Sequence, residues 1–204
     1  MGIKAGFRAS IVGLLTATAI TGGMVFGAGT ASACAGDQHS HALAASLPQL
    51  RPGTTGTYTV GLQLALNDHG YQLRGTGFYG VNTLSAVRDF QRRNGIKDSG
   101  IVGSKTWQAL VGSKNSIGTS NQSTPAFSVY PGETATVKLD YLRHFVSRLY
   151  LDETFWDETS YSPRMVATVK RFQKSVGIKA SGIVGPKTWT AMNQVVRMAG
   201  NWGC

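Results

Sequence analysis

The fold is decided by a stretch that occurs twice, at residues 86–110 (AVRDFQRRNGIKDSGIVGSKTWQAL) and at residues 168–192 (TVKRFQKSVGIKASGIVGPKTWTAM). At a constant offset of 82 residues, 15 of the 25 positions are identical, and no gap is needed. Self-similarity of this length at a fixed period indicates a duplicated structural unit. A duplicated small unit is more typical of a repeated binding surface than of a single active site.

Each copy predicts three short helices. The first helix of the first copy is expected at residues 60–69. The third helix is expected to begin at Ser104 in the first copy and at Pro186 in the second, since proline suits the first helical position. The second helix is indicated by apolar residues that recur on one face, at Leu84, Val87 and Phe90 and at Val166, Val169 and Phe172. We expect the structural core to contain Phe90, Trp107, Phe172 and Trp189.

A glycine-rich segment separates the second and third helices, at residues 95–103 and 177–185. Three glycines in nine residues predict tight turns with positive φ. The Ile-Val pairs at 101–102 and 183–184 are expected to plug the core from these turns. Residues 76–83 and residues 99–106 share one pattern, which is a small polar residue followed by Gly-x-x-Gly-x-x-Thr. Both segments are expected to open a helix.

These motifs resemble the three-helix peptidoglycan-binding domain of bacterial cell-wall hydrolases. In the first copy they are TGFYGVNT (76–83), AVRDFQ (86–91) and SGIVGSKTW (99–107). In the second they are YSP (161–163), TVKRFQ (168–173) and SGIVGPKTW (181–189). The resemblance implies an all-α chain with two tandem three-helix domains, at residues 47–111 and 131–204, the second including a C-terminal tail. It also implies that the ligand is peptidoglycan.

This chain departs from the family pattern at several positions. Thr76 and Ser99 in the first copy, and Glu158 and Ser181 in the second, stand where the family has aspartate. The first glycine-rich turn of the second copy is degenerate, with Thr159, Ser162 and Met165 in place of two glycines and a threonine. The first copy is therefore predicted to be the better binder.

The candidate ligand contacts lie at or beside the glycine-rich turns. Each has a structural alternative: the glutamines can hydrogen-bond the loop backbone, the tyrosines can pack half-buried, the tryptophans can fill the core rather than stack on a sugar, and the cations can be ordinary solvated charge. The candidates are Tyr79, Arg88, Gln91, Lys97, Gly100, Lys105, Thr106, Tyr161, Lys170, Gln173, Lys179, Gly182, Lys187 and Thr188.

The N-terminal residues 1–33 read as a signal peptide. Lys4 and Arg8 precede a long uncharged stretch that ends in Ala31-Ser32-Ala33, a small-x-small cleavage site. The alternative is an uncleaved membrane anchor, because the stretch is long enough to span a bilayer. Cleavage predicts a secreted protein that begins with a polar segment at residues 34–46, and the resemblance implies that it is associated with the cell wall.

The two cysteines, Cys34 and Cys204, would be the first and last residues of the cleaved chain. In an exported protein an even pair suggests a disulfide, which here would restrict the unfolded chain by roughly 4–5 kcal/mol. The alternative is a lipidated Cys34 that attaches the chain to a membrane. Residues 112–130 are predicted to be a flexible linker, because residues 112–126 are rich in Ser, Thr, Asn and Gly.

The charge favours an anionic partner. Lys and Arg number 20 against 10 Asp and Glu, and removal of Lys4 and Arg8 leaves 18 against 10, a net charge of +8. A positive surface suits nucleic acid, anionic lipid or acidic wall polymers, but the basic residues are spread along the chain, which is also typical of an ordinary solvated surface. With the resemblance, peptidoglycan or associated anionic wall polymers are the expected partners, and nucleic acid is not. The sequence holds no recognised catalytic motif and indicates no metal site and no cofactor.

Three functions follow in order of preference. The first is a non-catalytic, exported peptidoglycan-binding protein. The second is a protein-interaction or inhibitor module that reuses the fold. The third is a cell-wall hydrolase with an unrecognised active site, for which the acidic cluster of Asp152, Glu153, Asp157 and Glu158 is the candidate.

Overall fold

The computed structural model describes residues 37–112, 125–150 and 153–199. The predicted signal peptide, Cys34, Cys204 and most of the predicted linker lie outside these residues. The described part is helical, as the sequence predicts, and it contains no extended strand, only three isolated bridges, Leu50 with Val102, Thr55 with Phe78 and Val129 with Val184. Within the same residues, no helix is both long and apolar enough to cross a membrane.

The first repeat is built from helices α1 (Asp37–Ser46), α2 (Thr57–Asn67), α3 (Val81–Arg93) and α4 (Ser104–Trp107), the last continuing into a π-helical turn (Gln108–Gly112). The second repeat is built from α5 (Thr136–Leu149), α6 (Pro163–Ser175) and α7 (Pro186–Ala199). Helix α1 lies in the predicted polar segment at residues 34–46. Ala44 is buried in the core of the first repeat, and Leu43 and Leu47 pack against it, so this segment has an apolar edge.

The second helix of each repeat follows the predicted periodicity. Helix α6 begins at a proline and is capped by Ser162, whose Oγ accepts a hydrogen bond from the Met165 backbone N–H at 3.1 Å. The buried faces of both helices recur at i, i+3, i+4, i+7 and i+8, the spacing of an amphipathic helix. These positions are Thr83, Ala86, Val87, Phe90 and Gln91 in α3, and Met165, Thr168, Val169, Phe172 and Gln173 in α6.

The third helix places a tryptophan in each core. Trp107 and Trp189 are buried, and their indole N–H groups donate to the carbonyls of Pro48 and Phe127, both at 2.8 Å. The Phe127 ring also packs edge-on against Trp189, at 5.6 Å between centroids. Phe127 thus packs against the second core from a position four residues before the predicted boundary at residue 131.

The two repeats pack against each other through α2 and α7. Val60 and Leu64 of α2 are buried in the core cluster of the second repeat, and Met198 of α7 is buried in that of the first. Contact is close because α2 has a glycine at the crossing: a Cβ on Gly61 would lie 2.4 Å from Met198 Cε. The repeats are therefore joined by this buried surface as well as by the linker.

Replacement of Gly61 by leucine tests this contact. Gly61→Leu should lower the free energy of unfolding by about 1–3 kcal/mol, because the larger side chain overpacks the α2–α7 crossing. Urea unfolding followed by circular dichroism measures the loss. Met198→Ala in the same chain should recover part of it by making room. Strictly additive losses in the double variant would contradict direct contact between the two positions.

Candidate functional site

The glycine-rich turn at residues 99–106 is held by one side chain from helix α3. Gln91 donates from Nε2 to the Ile101 carbonyl at 2.9 Å and to Thr106 Oγ1 at 3.0 Å. The Gly100 backbone N–H donates to Gln91 Oε1 at 2.9 Å. Gln91 is buried, so its amide is used to fix the turn and is not presented to solvent.

The turn at residues 181–188 repeats this arrangement in the second repeat. Gln173 Nε2 donates to the Ile183 carbonyl at 2.8 Å and to Thr188 Oγ1 at 3.1 Å, and the Gly182 N–H donates to Gln173 Oε1 at 2.9 Å. Gly100 and Gly182 both have positive φ, 73° and 80°. The sequence repeat thus produces two turns with the same backbone and the same internal hydrogen bonds.

A third turn of the same kind lies at residues 76–83. The sequence pattern did not indicate that a glutamine holds it. Gln63 of α2 donates from Nε2 to Thr76 Oγ1, Phe78 O and Thr83 Oγ1, at 3.0–3.1 Å. The Gly77 N–H donates to Gln63 Oε1 at 3.0 Å. The glutamine precedes its glycine by 14 residues here and by 9 in the other two turns. This difference in spacing concealed the match.

The fourth position, the degenerate turn of the second repeat, has lost the whole polar set. Counted from the starts of α2 and α5, Leu142 takes the place of Gln63; counted from the starts of α3 and α6, Met165 takes that of Thr83. Both replacements are fully buried among apolar side chains. The described residues therefore contain three glutamine-held turns, two in the first repeat and one in the second.

Tyr79 and Tyr161 connect the two turn positions within each repeat. Their hydroxyls donate to the carbonyls of Gly100 at 2.7 Å and Gly182 at 2.6 Å. Both side chains are buried, and burial raises the pKa of each phenol above its ordinary value. The structure places both tyrosines inside the repeat, where they support the turn.

Eight of the fourteen candidate residues are buried in this arrangement. They support the turns from inside, as the structural alternative expects, and a direct contact with ligand stays a prediction for them. The buried candidates are Tyr79, Gln91, Gly100, Thr106, Tyr161, Gln173, Gly182 and Thr188. The exposed candidates, whose role stays a prediction, are Arg88, Lys97, Lys105, Lys170, Lys179 and Lys187.

Each intact turn exposes the apolar residue that follows its first glycine. Phe78 is 54% exposed, Ile101 40% and Ile183 38%. The next residue along is buried at 0–1% in every case, so only one member of each predicted Ile-Val plug, Val102 or Val184, enters the core. Both members of each Ile-Val pair are apolar, so nothing local in the sequence distinguishes the exposed isoleucine from the buried valine.

A cation lies over two of these turns. A Cβ on Gly100 would lie 3.3 Å from Arg88 Nε, and one on Gly182 would lie 3.0 Å from Lys170 Cε. The missing Cβ lets these side chains rest on the turn backbone. Arg88 and Lys170 are exposed and equivalent in the two repeats, so each turn combines an apolar tip with a positive charge.

Lys105 has a different setting, in an open cleft of about 540 Å³ beside α1. Asn94, Ile96 and Gln108 are among the other residues of this cleft. No equivalent of α1 precedes α5 in the described part of the second repeat, which begins at residue 125. The two lysines Lys105 and Lys187 therefore differ in surroundings, although they match in sequence.

The acidic cluster forms ion pairs. Glu153 pairs with Arg171 and accepts a hydrogen bond from Thr168 Oγ1 at 2.5 Å. Glu158 pairs with Arg164 at 2.7 Å. Asp152 lies outside the described residues. Within residues 37–112, 125–150 and 153–199, no three His, Cys, Asp or Glu side chains come together in a way that could hold a metal ion.

Comparison with known proteins identifies the repeats. The family model described as a putative peptidoglycan binding domain matches residues 56–110 and 147–192. The chain is 29% identical over 160 residues to a probable N-acetylmuramoyl-L-alanine amidase of Bacillus licheniformis, covering 72% of this chain and 45% of that protein. It is 27% identical over 165 residues to the N-acetylmuramoyl-L-alanine amidase CwlL of the same organism, covering 72% and 46%. The chain thus spans less than half the length of these relatives.

The glutamine of a turn can be tested by an apolar substitute of similar length. Gln91→Met should lower the free energy of unfolding by about 1–3 kcal/mol for each buried polar group that it leaves unpaired, and it should speed hydrogen exchange at the Gly100 amide. Chemical unfolding and amide exchange measure the two effects. Gln72→Met, at an exposed position, is the control. Equal stability of the two variants would show that the amide does not hold the turn.

The buried tyrosines predict a loss of stability at alkaline pH. Their folded pKa values lie above the ordinary 10.0, so the stabilisation is complete below pH 10 and is lost as the pH rises above it, where only the unfolded phenols ionise readily. The thermal midpoint should therefore fall above about pH 10. The variant Tyr79→Phe/Tyr161→Phe should show a shallower fall, and Tyr71, whose pKa burial raises to about 12, accounts for part of the remainder. An unchanged slope would contradict this assignment.

Proposed function

Because both repeats belong to the putative peptidoglycan-binding domain family, we propose that this chain is an exported protein that binds peptidoglycan without cleaving it. The contact surface is the exposed side of the glutamine-held turns, with Ile101 and Arg88 in the first repeat and Ile183 and Lys170 in the second. The observation that supports this proposal is that an exposed isoleucine and an exposed cation occur together on the glutamine-held turn before the third helix of each repeat.

The chemistry of the pair suits a polymer of sugars and short peptides. Each isoleucine provides an apolar tip for the C–H surface of a sugar or the side chain of a peptide. The nearby cation attracts the carboxylates that wall peptides carry. Since the turn is fixed from inside by its glutamine, little conformational freedom is lost when a ligand binds.

Two such surfaces on one chain would act together on a repeating ligand. Binding at one turn places the other at a high effective concentration near the same polymer, so the overall affinity exceeds that of either site alone. The shared α2–α7 surface supports this, because it limits the relative motion of the repeats. Weak single contacts are then sufficient for retention in the wall.

Sedimentation with purified peptidoglycan tests the proposal. Residues 34–204 should pellet with protein-free peptidoglycan, and the variant Ile101→Ser/Ile183→Ser should bind about tenfold more weakly or worse, since each exposed isoleucine that a ligand covers contributes about 1 kcal/mol or more. The control is Val137→Ser, which removes a 69% exposed apolar side chain on α5, away from the turns.

The outcomes separate the parts of the proposal. Pelleting of the isoleucine variant at the wild-type level would place the contact elsewhere on the chain. Pelleting that added salt abolishes would reflect charge attraction alone, because exposed charges are screened. Failure of the wild-type chain to pellet would refute wall binding and would favour a protein-interaction module.

A second candidate, hydrolysis, is favoured by the names of the two relatives. Release of soluble fragments from dye-labelled peptidoglycan during the same incubation measures it. If fragments are released, Glu153→Gln and Asp157→Asn test the acidic cluster. Glu153 is ion-paired with Arg171, so the stability of that variant is measured alongside its activity.

A further inference from the structure

The turn at residues 76–83 differs from the other two because it faces the second repeat. The Gly75 N–H donates to the Leu149 carbonyl at 3.1 Å, across the repeat boundary. A Cβ on Gly77 would lie 2.5 Å from the Ser175 carbonyl oxygen, so the two backbones approach as closely as glycine allows. This turn therefore forms one wall of an open cleft of about 480 Å³ between the repeats.

The lining of this cleft is cationic. Arg74 of the first repeat and Arg171 and Lys174 of the second are its side chains that carry charge at neutral pH. Both guanidinium groups lie over the ring of Tyr150, with Cζ to centroid distances of 5.6 Å for Arg74 and 4.4 Å for Arg171. Stacking on an aromatic ring fixes the plane of a guanidinium group while its N–H groups remain available as donors.

The cluster already accommodates one carboxylate. Glu153 pairs with Arg171, and its Oε1 lies 3.9 Å from Arg74 Nη2. Glu153 is only 16% exposed, whereas the two arginine side chains keep 50% and 46% of their surface accessible. Lys174 makes no ion pair with any carboxylate in the part of the chain that the structure describes. Glu153 thus offsets part of the charge of Arg74 and Arg171, and the described lining of the cleft stays positive.

We propose that this inter-repeat cleft binds a carboxylate of the peptide part of peptidoglycan, with Arg74, Arg171 and Lys174 holding the anion. The proposal rests on the peptidoglycan binding proposed above and adds a site that requires both repeats. Planar guanidinium groups match the two oxygens of a carboxylate, and the ammonium adds a third donor. Phe78, exposed at the rim, contacts the apolar part of the peptide next to the carboxylate.

The test compares charge-removing variants on two forms of the ligand. Peptidoglycan freed of phosphate-containing polymers is used as purified and after its carboxylates have been amidated with carbodiimide and ammonia. Arg74→Gln/Lys174→Gln should bind the unmodified form about tenfold more weakly than the wild-type chain, because charge-assisted hydrogen bonds are lost. On the amidated form the two chains should bind equally.

The matched control removes the same charge elsewhere. Arg51→Gln/Arg197→Gln changes two exposed cations outside the cleft and should leave binding within about twofold of wild type. Arg171 is kept, because it pairs with Glu153. If thermal unfolding shows that the double variant is not folded, Lys174→Gln is tested alone. Its binding to unmodified peptidoglycan should be about threefold weaker than that of the wild-type chain.

Each contrary outcome has a distinct meaning. Equal binding of wild type and cleft variant overturns the cleft site and leaves the proposed function intact. A loss that the control pair matches, or that persists on amidated peptidoglycan, overturns carboxylate recognition. Binding that appears only when phosphate polymers are retained assigns the anion to them instead. If the wild-type chain does not bind at all, the proposed function fails and the cleft proposal fails with it.

Discussion

A buried glutamine amide determines the shape of each exposed turn. The turns have little secondary structure of their own, and a glycine with positive φ is not by itself a fixed conformation. The side chain of Gln91 supplies both a donor and an acceptor, so it satisfies a carbonyl and an N–H of the same turn at once. An ionised aspartate only accepts hydrogen bonds, so it could not do both. Gln91 thereby helps to hold the turn that presents Ile101 at the surface.

The loss of the fourth turn shows that the interaction works as a set. A lone glutamine facing apolar neighbours would be buried without partners, which costs stability. Leu142 and Met165 instead fill the space together in the second repeat, and the polar turn is absent. The second repeat retains its core while presenting a single glutamine-held turn.

Much of the fold was predictable from local patterns, and much of the candidate site was not. Helices α3, α6 and α7 follow from apolar spacing and from Pro163 and Pro186, which are local signals. The exposure of Ile101 and the burial of Val102 depend on the bridge between Val102 and Leu50, which lies about 50 residues away in sequence. The role of Gln63 could not be inferred from the other two turns, because 14 residues separate it from its glycine and only 9 separate the glutamine from the glycine there. The packing of the repeats depends on Gly61, where the informative feature is an absent side chain.

The α2–α7 contact also has a consequence for the architecture. Helix α2 of the first repeat meets the last helix of the second, and Met198 fills the place opposite Gly61. This contact joins the two cores independently of the residues that link the repeats in sequence. The separation of the exposed turns at Ile101 and Ile183 is therefore set by helix packing, and a change in the length of the linker would leave it largely unaltered.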